Sequence, residues 1–230
     1  MEQSAVLCSR HDGLAGVTVS DIAARLARLG SSPILSDLGV SDALNREADL
    51  LSVTPGREGW RPSVDKTQPA GVLVPLVERD GGLSLLLTRR TDHLHHHAGQ
   101  ISFPGGRKEE ADPDITATAL RETEEEIGLP PAAVRVLGVL PQYVTISAYA
   151  ITPVVGVVTQ PFSPRPDPFE VADVFEVPLA HVLDPAHHQR HFREENGRRR
   201  GYYAIPYGDR LIWGATAGIL VNFSRLMAPA

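Results

Sequence analysis

Cysteine is nearly absent from this sequence, since Cys8 is the only one and cannot form an intrachain disulfide. Nothing in the cysteine content indicates an oxidising compartment, so we expect a cytoplasmic, reducing environment. Positive charge is also scarce: 28 acidic residues outnumber 22 Lys and Arg, which gives a formal net charge of −6. Because nucleic-acid-binding proteins usually carry a positive excess, a generic nucleic-acid partner is disfavoured. A phosphate-bearing small molecule would have to be bound locally, by a metal ion or a few placed arginines.

Long apolar runs are missing as well. No run approaches the ~18 residues that a membrane-spanning helix needs, and the N-terminus lacks the basic start and apolar stretch of a signal peptide. We therefore expect neither secretion nor a membrane partner. With 42% hydrophobic and 22% charged residues, the 230-residue chain has the composition of an ordinary folded protein with one sizeable domain and an appendage.

Residues 1–68 predict an N-terminal segment that packs on the main domain. The first 17 residues show no clear period, which is typical of a poorly ordered terminus. Between Val19 and Gly30, apolar residues recur every three to four positions, so we predict a short amphipathic helix that Gly30 ends. Prolines and glycines then interrupt the chain, with a weak helical pattern at 42–51.

Residues 69–230 predict one α+β domain. Two apolar runs flank the stretch 79–82, which contains two glycines and indicates a β-hairpin. Further strands are predicted at 134–140, 150–159 and 171–177, and helices at 114–127 and 214–226. Neither an internal repeat nor a low-complexity tract is present, so we expect a mixed β-sheet sandwiched between helices, with an N-terminal helical appendage.

Local signals mark both ends of the helix predicted at 114–127. Asp112 offers an oxygen-bearing N-cap, and Pro113 stands at what would be the first helical position. Gly128 is a typical helix terminator. We therefore predict that the helix opens at Asp112 and closes at Gly128.

Three carboxylates share one side of this helix. Glu122, Glu125 and Glu126 stand at positions i, i+3 and i+4, whereas Glu124 points elsewhere. Such a face can simply be solvated, as charged helix faces commonly are. However, same-side glutamates repel one another by roughly a few tenths of a kcal/mol, and they lie where the helix dipole disfavours anions. A cation would relieve both effects, and oxygen-only ligands suit Mg²⁺ or Mn²⁺, whose usual enzymatic partner is a substrate phosphate.

The stretch from Gly106 to Leu129 resembles the Nudix box, G-x5-E-x7-R-E-U-x-E-E-x-G-U, where U is an apolar residue. From Arg121 onward the chain matches at the arginine, the glutamates and the glycine. Asp112 stands where the box has its first glutamate, with one extra residue before Arg121, and Thr123 replaces an apolar residue. The departure at Asp112 leaves open which acid orients Arg121.

The stretch from Leu86 to Gly106 is similar to the extended signature LLTxRxxxLxxHxGQxxFPGG of the coenzyme A pyrophosphatase branch of the Nudix family. Weaker matches at 170–179 and 212–217 extend the resemblance over residues 69–220. It implies the Nudix fold and a metal-dependent hydrolase. The implied reaction splits coenzyme A or a CoA derivative into 3′,5′-ADP and 4′-phosphopantetheine or its acyl form.

The resemblance also implies a metal site on the acidic helix. Glu122, Glu125 and Glu126 would hold Mg²⁺ or Mn²⁺, together with the backbone carbonyl of Gly105. Arg121 would have a catalytic role as the brace of one of these carboxylates.

Two acids are candidates for the general base. The family draws this group from the box or from a later loop, which makes Glu122 the first choice and Glu170 the second. Glu170 is equally interpreted as an ordinary loop carboxylate.

Substrate contacts are expected upstream of the helix. Arg89, on the signature strand, is our candidate for holding a substrate phosphate, and His97 coincides with the signature histidine. Gly105 and Gly106 would let the backbone approach metal and phosphate. The basic run 198–200 is interpreted as a surface turn, with contact to a ligand phosphate as the alternative.

Two rival functions stay open on the sequence. A Nudix pyrophosphatase acting on ADP-ribose or another nucleoside diphosphate derivative would share the box, although the upstream signature disfavours it. A non-catalytic nucleotide sensor commonly loses box glutamates, which this chain keeps. We expect a small-molecule nucleotide substrate and, as is common in the family, a possible homodimer.

Overall fold

The computed structural model describes residues 16–29, 35–49, 67–94, 97–195 and 197–228. The predictions for residues 1–15, for the helix end at Gly30 and for residues 50–66 lie outside these ranges. Within them, the chain forms five α-helices and two β-sheets. No helix in the described ranges is both long enough and apolar enough to cross a membrane.

The predicted hairpin at the start of the main sheet is confirmed. Strand β2 (Gln68–Arg79) and strand β3 (Gly82–Arg90) pair in antiparallel register from Leu76↔Leu85 to Arg79↔Gly82. Gly82 completes the tight turn with a φ of 111°, a conformation that side chains rarely adopt. The turn therefore falls within the glycine-containing stretch that predicted it.

A nine-stranded mixed sheet forms around this hairpin. Strand β8 (Tyr149–Val158) runs parallel to β2, and β9 (Val171–Pro178) pairs antiparallel with β3. Strand β6 (Val134–Val139) pairs with β8, so the three strands predicted after the acidic helix are confirmed. Four short strands complete the sheet: β1 (Leu35–Ser36), β4 (Ile101–Ser102), β5 (Gly105–Arg107) and β7 (Tyr143–Val144).

Helix α3 (Ile115–Ile127) carries the acidic residues and packs on one face of the sheet. Its N-cap is Asp114, whose Oδ1 accepts the Ala117 N–H at 2.8 Å. The predicted opening at Asp112 was therefore wrong, because the Asp112 carboxylate is bound outside the helix end. Gly128 ends the helix as predicted, with a φ of 74°.

Alternate side chains of β3 divide the apolar core between the two faces of the sheet. Leu86 joins the cluster beneath α3, while Leu85 and Leu87 join the larger cluster on the other face. Helices α4 (Leu179–Leu183) and α5 (Ala215–Met227) contribute to that second cluster. The closing helix and the sandwiched mixed sheet are both confirmed, and the fold class is α+β.

The N-terminal segment contributes to the same core. Helix α1 (Val19–Ala27) is tied to the end of α5, because Arg25 Nη1 donates to the Leu226 carbonyl at 3.0 Å. Helix α2 (Asp37–Asp49) begins earlier than predicted and buries Leu44 almost completely. Strand β1, immediately before α2, adds to the main sheet in parallel with β7.

A three-stranded antiparallel sheet, which the sequence did not predict, follows α4. It consists of β10 (Gln189–Glu195), β11 (Arg198–Tyr207) and β12 (Arg210–Trp213). The basic run 198–200 lies in β11 rather than in a surface turn. Strand β11 packs against α2, so this second sheet and the N-terminal segment stand side by side.

Candidate active site

Two glycines let the acidic helix approach the sheet closely. Gly105 and Gly106 lie on β5, which pairs with β2. The Glu122 carboxylate lies where a Cβ of residue 106 would stand, and the β2 backbone lies where a Cβ of residue 105 would stand. Gly105 donates its N–H to Glu126 Oε2 at 3.2 Å. The glycine pair thus sets backbone directly against two of the predicted site glutamates.

Glu126 is almost fully buried, with 5% of its surface exposed. Burial raises the pKa of its carboxyl group to about 8, although the Gly105 N–H and the Arg90 guanidinium oppose the rise. The neighbouring carboxylates of Glu170 and Glu122 add to it. An acid in these surroundings holds its proton near neutral pH unless a cation takes the place of that proton.

Glu122 also faces the glycine pair, with 19% of its side chain exposed. Burial raises the pKa of Glu122, while the Arg121 guanidinium, whose Nη2 donates to Glu122 Oε1 at 3.0 Å, lowers it. Repulsion from Glu125 and Glu170 adds to the rise. The inward side of α3 therefore has two crowded carboxyl groups that a cation would stabilise in their charged form.

Arg121 connects the acids around this helix. Its Nε donates to Asp112 Oδ1 at 2.9 Å and its Nη2 to Asp112 Oδ2 at 3.1 Å. Its Nη1 donates to Glu125 Oε2 at 3.1 Å. The bonds from Arg121 hold the pKa of Asp112 far below its usual range, and the bonds to Asp112 raise the pKa of Arg121. Asp112 is thus the acid that orients Arg121, which the sequence left open.

Glu125 lies at the solvent side of the site. Its side chain is 60% exposed and is bound by Arg121. Glu124 is exposed as well. In the part of the chain that the structure describes, no three acidic, histidine or cysteine side chains form a preassembled ligand set. A site built from the three predicted glutamates would require Glu125 to turn away from Arg121.

The loop before β9 is fastened to the end of α3. The Asp167 N–H donates to the Glu126 carbonyl at 2.8 Å. Glu170 follows on the same loop, and its Oε2 lies 3.9 Å from Arg90 Nη2. Arg90 Nη1 in turn lies 3.7 Å from Glu126 Oε1. The structure therefore places Glu170 beside the acidic helix, with Arg90 between the two carboxylates.

Adjacent arginines on β3 have different surroundings. Nη1 of Arg89, the candidate for phosphate binding, lies 3.7 Å from Asp92 Oδ1. The Arg89 side chain is 39% exposed. Arg90 lines a cavity beside Gly105 and Gly106, and its Nε is buried without a hydrogen-bond partner in the described part of the chain. The arginine of the extended signature also aligns with position 90, a signal that our choice of Arg89 overlooked. The geometry favours Arg90 as the residue that meets a ligand.

A cavity of about 680 Å³ opens beside Gly105 and Gly106. His97 lines it with a φ of 58°, and its Nδ1 lies 2.9 Å from Gln100 Oε1. Helix α2, the β7–β8 connection and the second sheet form the remaining walls. The volume falls within the range of sites that enclose small molecules.

A comparison of the sequence with known proteins identifies the family that the acidic helix resembles. The NUDIX domain family matches residues 67–195. A protein named Nudix hydrolase NudL from Escherichia coli O1:K1 / APEC is 40% identical over 164 residues, which are 70% of this chain and 85% of that protein. NudL of Shigella boydii serotype 18 (strain CDC 3083-94 / BS512) is also 40% identical, with the same coverage.

Solved structures that resemble part of this chain include RenU, a Nudix hydrolase from M. smegmatis. It has a TM-score of 0.43 and 23% identity, and the match covers 51% of this chain and 74% of RenU. A binary complex of the C. elegans Ap4A hydrolase has a TM-score of 0.41 and 18% identity, with 48% of this chain and 80% of that chain covered.

Nudix hydrolases act on pyrophosphate bonds and generally use divalent metal ions such as Mg²⁺ or Mn²⁺. The family match spans more than half of this chain, and the relatives are covered over most of their length. The chain belongs to the Nudix hydrolase family.

Proposed function

We propose that the chain hydrolyses the pyrophosphate bond of coenzyme A or a CoA derivative. The products are 3′,5′-ADP and 4′-phosphopantetheine or its acyl form. The observation that carries this proposal is the position of the extended signature around one cavity that Gly105 and Gly106 line, the two glycines that contact Glu126 and Glu122 of α3. The lining includes these residues of the signature: Arg90, His97, Gln100, Phe103, Gly105 and Gly106. Grouping around one cavity supports a shared role in recognising one substrate.

We propose that Glu122, Glu125 and Glu126 hold Mg²⁺ or Mn²⁺, with the Gly105 carbonyl as a further ligand. The donor set fits, because Glu122 and Glu126 are crowded, largely buried and raised in pKa by burial. Oxygen-only carboxylate ligands are those that hard divalent ions prefer. When bound, the metal neutralises charge that develops on the phosphate oxygens and makes the attacking water more acidic.

The chain's own residues supply the remaining steps. Water adds to one phosphorus, the bridging P–O bond breaks, and the proton of the water passes to Glu122, our first choice, or to Glu170. Arg121 acts as a positioning residue, since Asp112 fixes its guanidinium against Glu122. We further propose that Arg90, which lines the cavity and stands between Glu126 and Glu170, donates to a substrate phosphate.

The test is a substrate screen with the purified protein in Mg²⁺ or Mn²⁺. The substrates are CoA, acetyl-CoA, ADP-ribose, NADH, diadenosine polyphosphates and nucleoside triphosphates, with products separated by chromatography. We expect the highest kcat/KM for a CoA species, with 3′,5′-ADP as a product. A clear preference for ADP-ribose or a triphosphate over every CoA species would refute the CoA assignment.

The same assay tests the metal. Chelator should abolish activity, and Mg²⁺ or Mn²⁺ should restore it, whereas Ca²⁺ should restore it poorly because the larger ion takes a looser coordination shell. Full turnover in excess EDTA would contradict the metal site proposed on α3.

A further inference from the structure

The second sheet lines the same cavity as Gly105 and Gly106. Arg193 on β10 and Arg200 on β11 are Cα partners in the antiparallel register, so both side chains leave the sheet on one face. Tyr202 stands two residues beyond Arg200 and shares that face. Trp213 on β12 joins the same face, because its partner in the register is two residues beyond Tyr202. We call these four cavity-lining residues the basic-aromatic wall: Arg193, Arg200, Tyr202 and Trp213.

The two arginines of this wall form a like-charge pair. Like charges at directly opposite positions of neighbouring strands are unfavourable by themselves. An anion that lies between two guanidinium groups reverses the sign of that interaction, and phosphate oxygens match the forked donors of arginine. The pair is therefore a candidate for recognition of a phosphate group inside the cavity.

One carboxyl group, that of Asp37, lines the same cavity as the wall. Asp37, at the start of α2, accepts hydrogen bonds from the Tyr143 hydroxyl and the Ile146 N–H, both at 2.8 Å. Burial raises the pKa of Asp37, while these hydrogen bonds and then the charges of Arg193 and Arg200 lower it. The charges of the arginine pair thus favour the ionised form of this carboxyl group, and a phosphate with two charges would be a stronger partner for the pair.

The aromatic half of the wall suits a nucleobase. The rings of Tyr202 and Trp213 lie 5.6 Å apart in an edge-to-face arrangement. Both residues are half-buried and line the cavity. Aromatic rings on a binding surface stack on bases, at about 1–3 kcal/mol per base in single-stranded nucleic-acid complexes. Aromatic rings that stack on a base, together with two guanidinium groups that bind a phosphate, can recognise a phosphorylated nucleoside.

We propose that Arg193 and Arg200 bind a phosphate monoester on the nucleoside part of the substrate, with its base against Tyr202 and Trp213. The proposal rests on the proposed function in one respect, since it takes the nucleoside side of a CoA-like substrate as the group that meets the wall. The recognition surface lies mostly outside the family match at 67–195, on β11, β12 and the facing α2. Recognition of the nucleoside phosphate is thereby separated in the sequence from the acidic helix α3.

The direct test is calorimetric binding of adenosine 3′,5′-bisphosphate and of AMP to the metal-free protein. We expect the wild type to bind the bisphosphate at least about tenfold more tightly, and Arg193→Gln and Arg200→Gln each to remove most of that preference. Arg199→Gln is the matched control, because Arg199 lies next in sequence on the opposite face, with its guanidinium 3.9 Å from the Phe192 ring centre. Thermal melts establish that each variant is folded.

A kinetic comparison separates this proposal from the proposed function. The wild type should hydrolyse CoA with a kcat/KM at least about tenfold above dephospho-CoA, mainly through KM, and the two arginine variants should bring that ratio towards one. Equal hydrolysis of CoA and dephospho-CoA by the wild type would refute the wall's role while leaving CoA hydrolysis in place. If the protein binds the bisphosphate preferentially but does not hydrolyse CoA, the proposed function is refuted, whereas phosphate binding by the wall is supported. Loss of the preference in Arg199→Gln equal to that in Arg200→Gln would also overturn the assignment.

Discussion

Arg121 and Asp112 form a two-point ion pair, in which Nε and Nη2 of the guanidinium donate to the two oxygens of one carboxylate at 2.9 and 3.1 Å. The carboxylate is held from its other side by the Thr118 hydroxyl at 2.8 Å and the Glu109 N–H at 2.9 Å. An aspartate thus serves where the family box has a glutamate. The bound carboxylate holds the Arg121 guanidinium in an orientation in which its Nη2 also donates to Glu122.

This ion pair predicts different effects for two nearby aspartates. Asp112→Asn should lower kcat by on the order of 10- to 100-fold, because an amide offers one acceptor oxygen and a guanidinium without its partner no longer fixes Glu122. Asp114→Ala should instead cost about 1 kcal/mol of folding free energy through the lost N-cap of α3, with little change in kcat. Steady-state kinetics and urea unfolding of both variants check the distinction. Equal kcat losses at the two positions would contradict it.

The inward side of α3 predicts a second contrast. Glu126→Gln keeps the size of the side chain but removes one proposed ligand charge, so kcat should fall by on the order of 10² to 10⁴-fold. Glu124→Gln, on the exposed side, should change kcat by no more than a few-fold. Activity titrations with Mg²⁺ should show weaker metal activation only for the Glu126 variant. Comparable damage from Glu124→Gln would mean that the wrong side of the helix faces the metal.

The raised pKa of Glu126 predicts how the metal-free protein responds to pH. Its pKa rises from an ordinary 4.5 to about 8 in the folded state, so between these values the folded state binds a proton that the unfolded state has lost. This contribution to stability is fully present below pH 4.5 and is lost as the pH rises through 8. Glu126→Gln should therefore become more stable relative to wild type as the pH rises. Mg²⁺ should stabilise wild type most at high pH.

The measurement is the midpoint of thermal unfolding in EDTA between about pH 5 and pH 9 for wild type and Glu126→Gln. The difference between the two curves isolates residue 126 from the other titrating groups. A difference that stays constant across this range would show that Glu126 keeps an ordinary pKa in the folded protein.

The burial of α2 predicts that the N-terminal segment contributes to global stability. Leu44 has 1% of its surface exposed and lies against Gly201 of β11. Leu44→Ala should destabilise the whole protein by about 2–5 kcal/mol, the usual result of emptying a core leucine site. Leu211→Ala, at 43% exposure, should stay within about 0.5 kcal/mol of wild type. Urea unfolding measures the change in the free energy of unfolding for both variants. An effect of Leu44→Ala no larger than that of Leu211→Ala would show that α2 is not part of the cooperative core.

Local patterns predicted the elements whose signals lie within the element itself. The hairpin turn has Gly82 at a positive φ, and α3 has a regular period and Gly128 at its end. The opening of α3 was mispredicted because Asp112 and Asp114 satisfy the same local rule. Arg121, nine residues from Asp112, decides between them by binding the first. A cap rule that considers only neighbouring residues does not include that interaction.

The second sheet could not be predicted for a different reason. Strand β11 begins with three arginines, and a run of like charge ordinarily indicates solvent. Arg200 lines a cavity instead, opposite Asp37 of the N-terminal segment, and that proximity arises only in the folded chain. The wall of the candidate site therefore depends on contacts between segments far apart in sequence, whereas the acidic helix depends on spacing within one segment.

The bond from Arg25 to the Leu226 carbonyl has a consequence for how the protein is made. The two residues are 201 positions apart, so at roughly 5–20 residues per second a ribosome needs about 10–40 s to add the second after the first. Strand β1 likewise cannot pair until β7 has been synthesised, since Leu35 pairs with Tyr143. Helix α1 and strand β1 are thus synthesised well before the segments that they contact. During that interval Ile22 and Leu44, both buried in the finished protein, are open to chaperones and proteases.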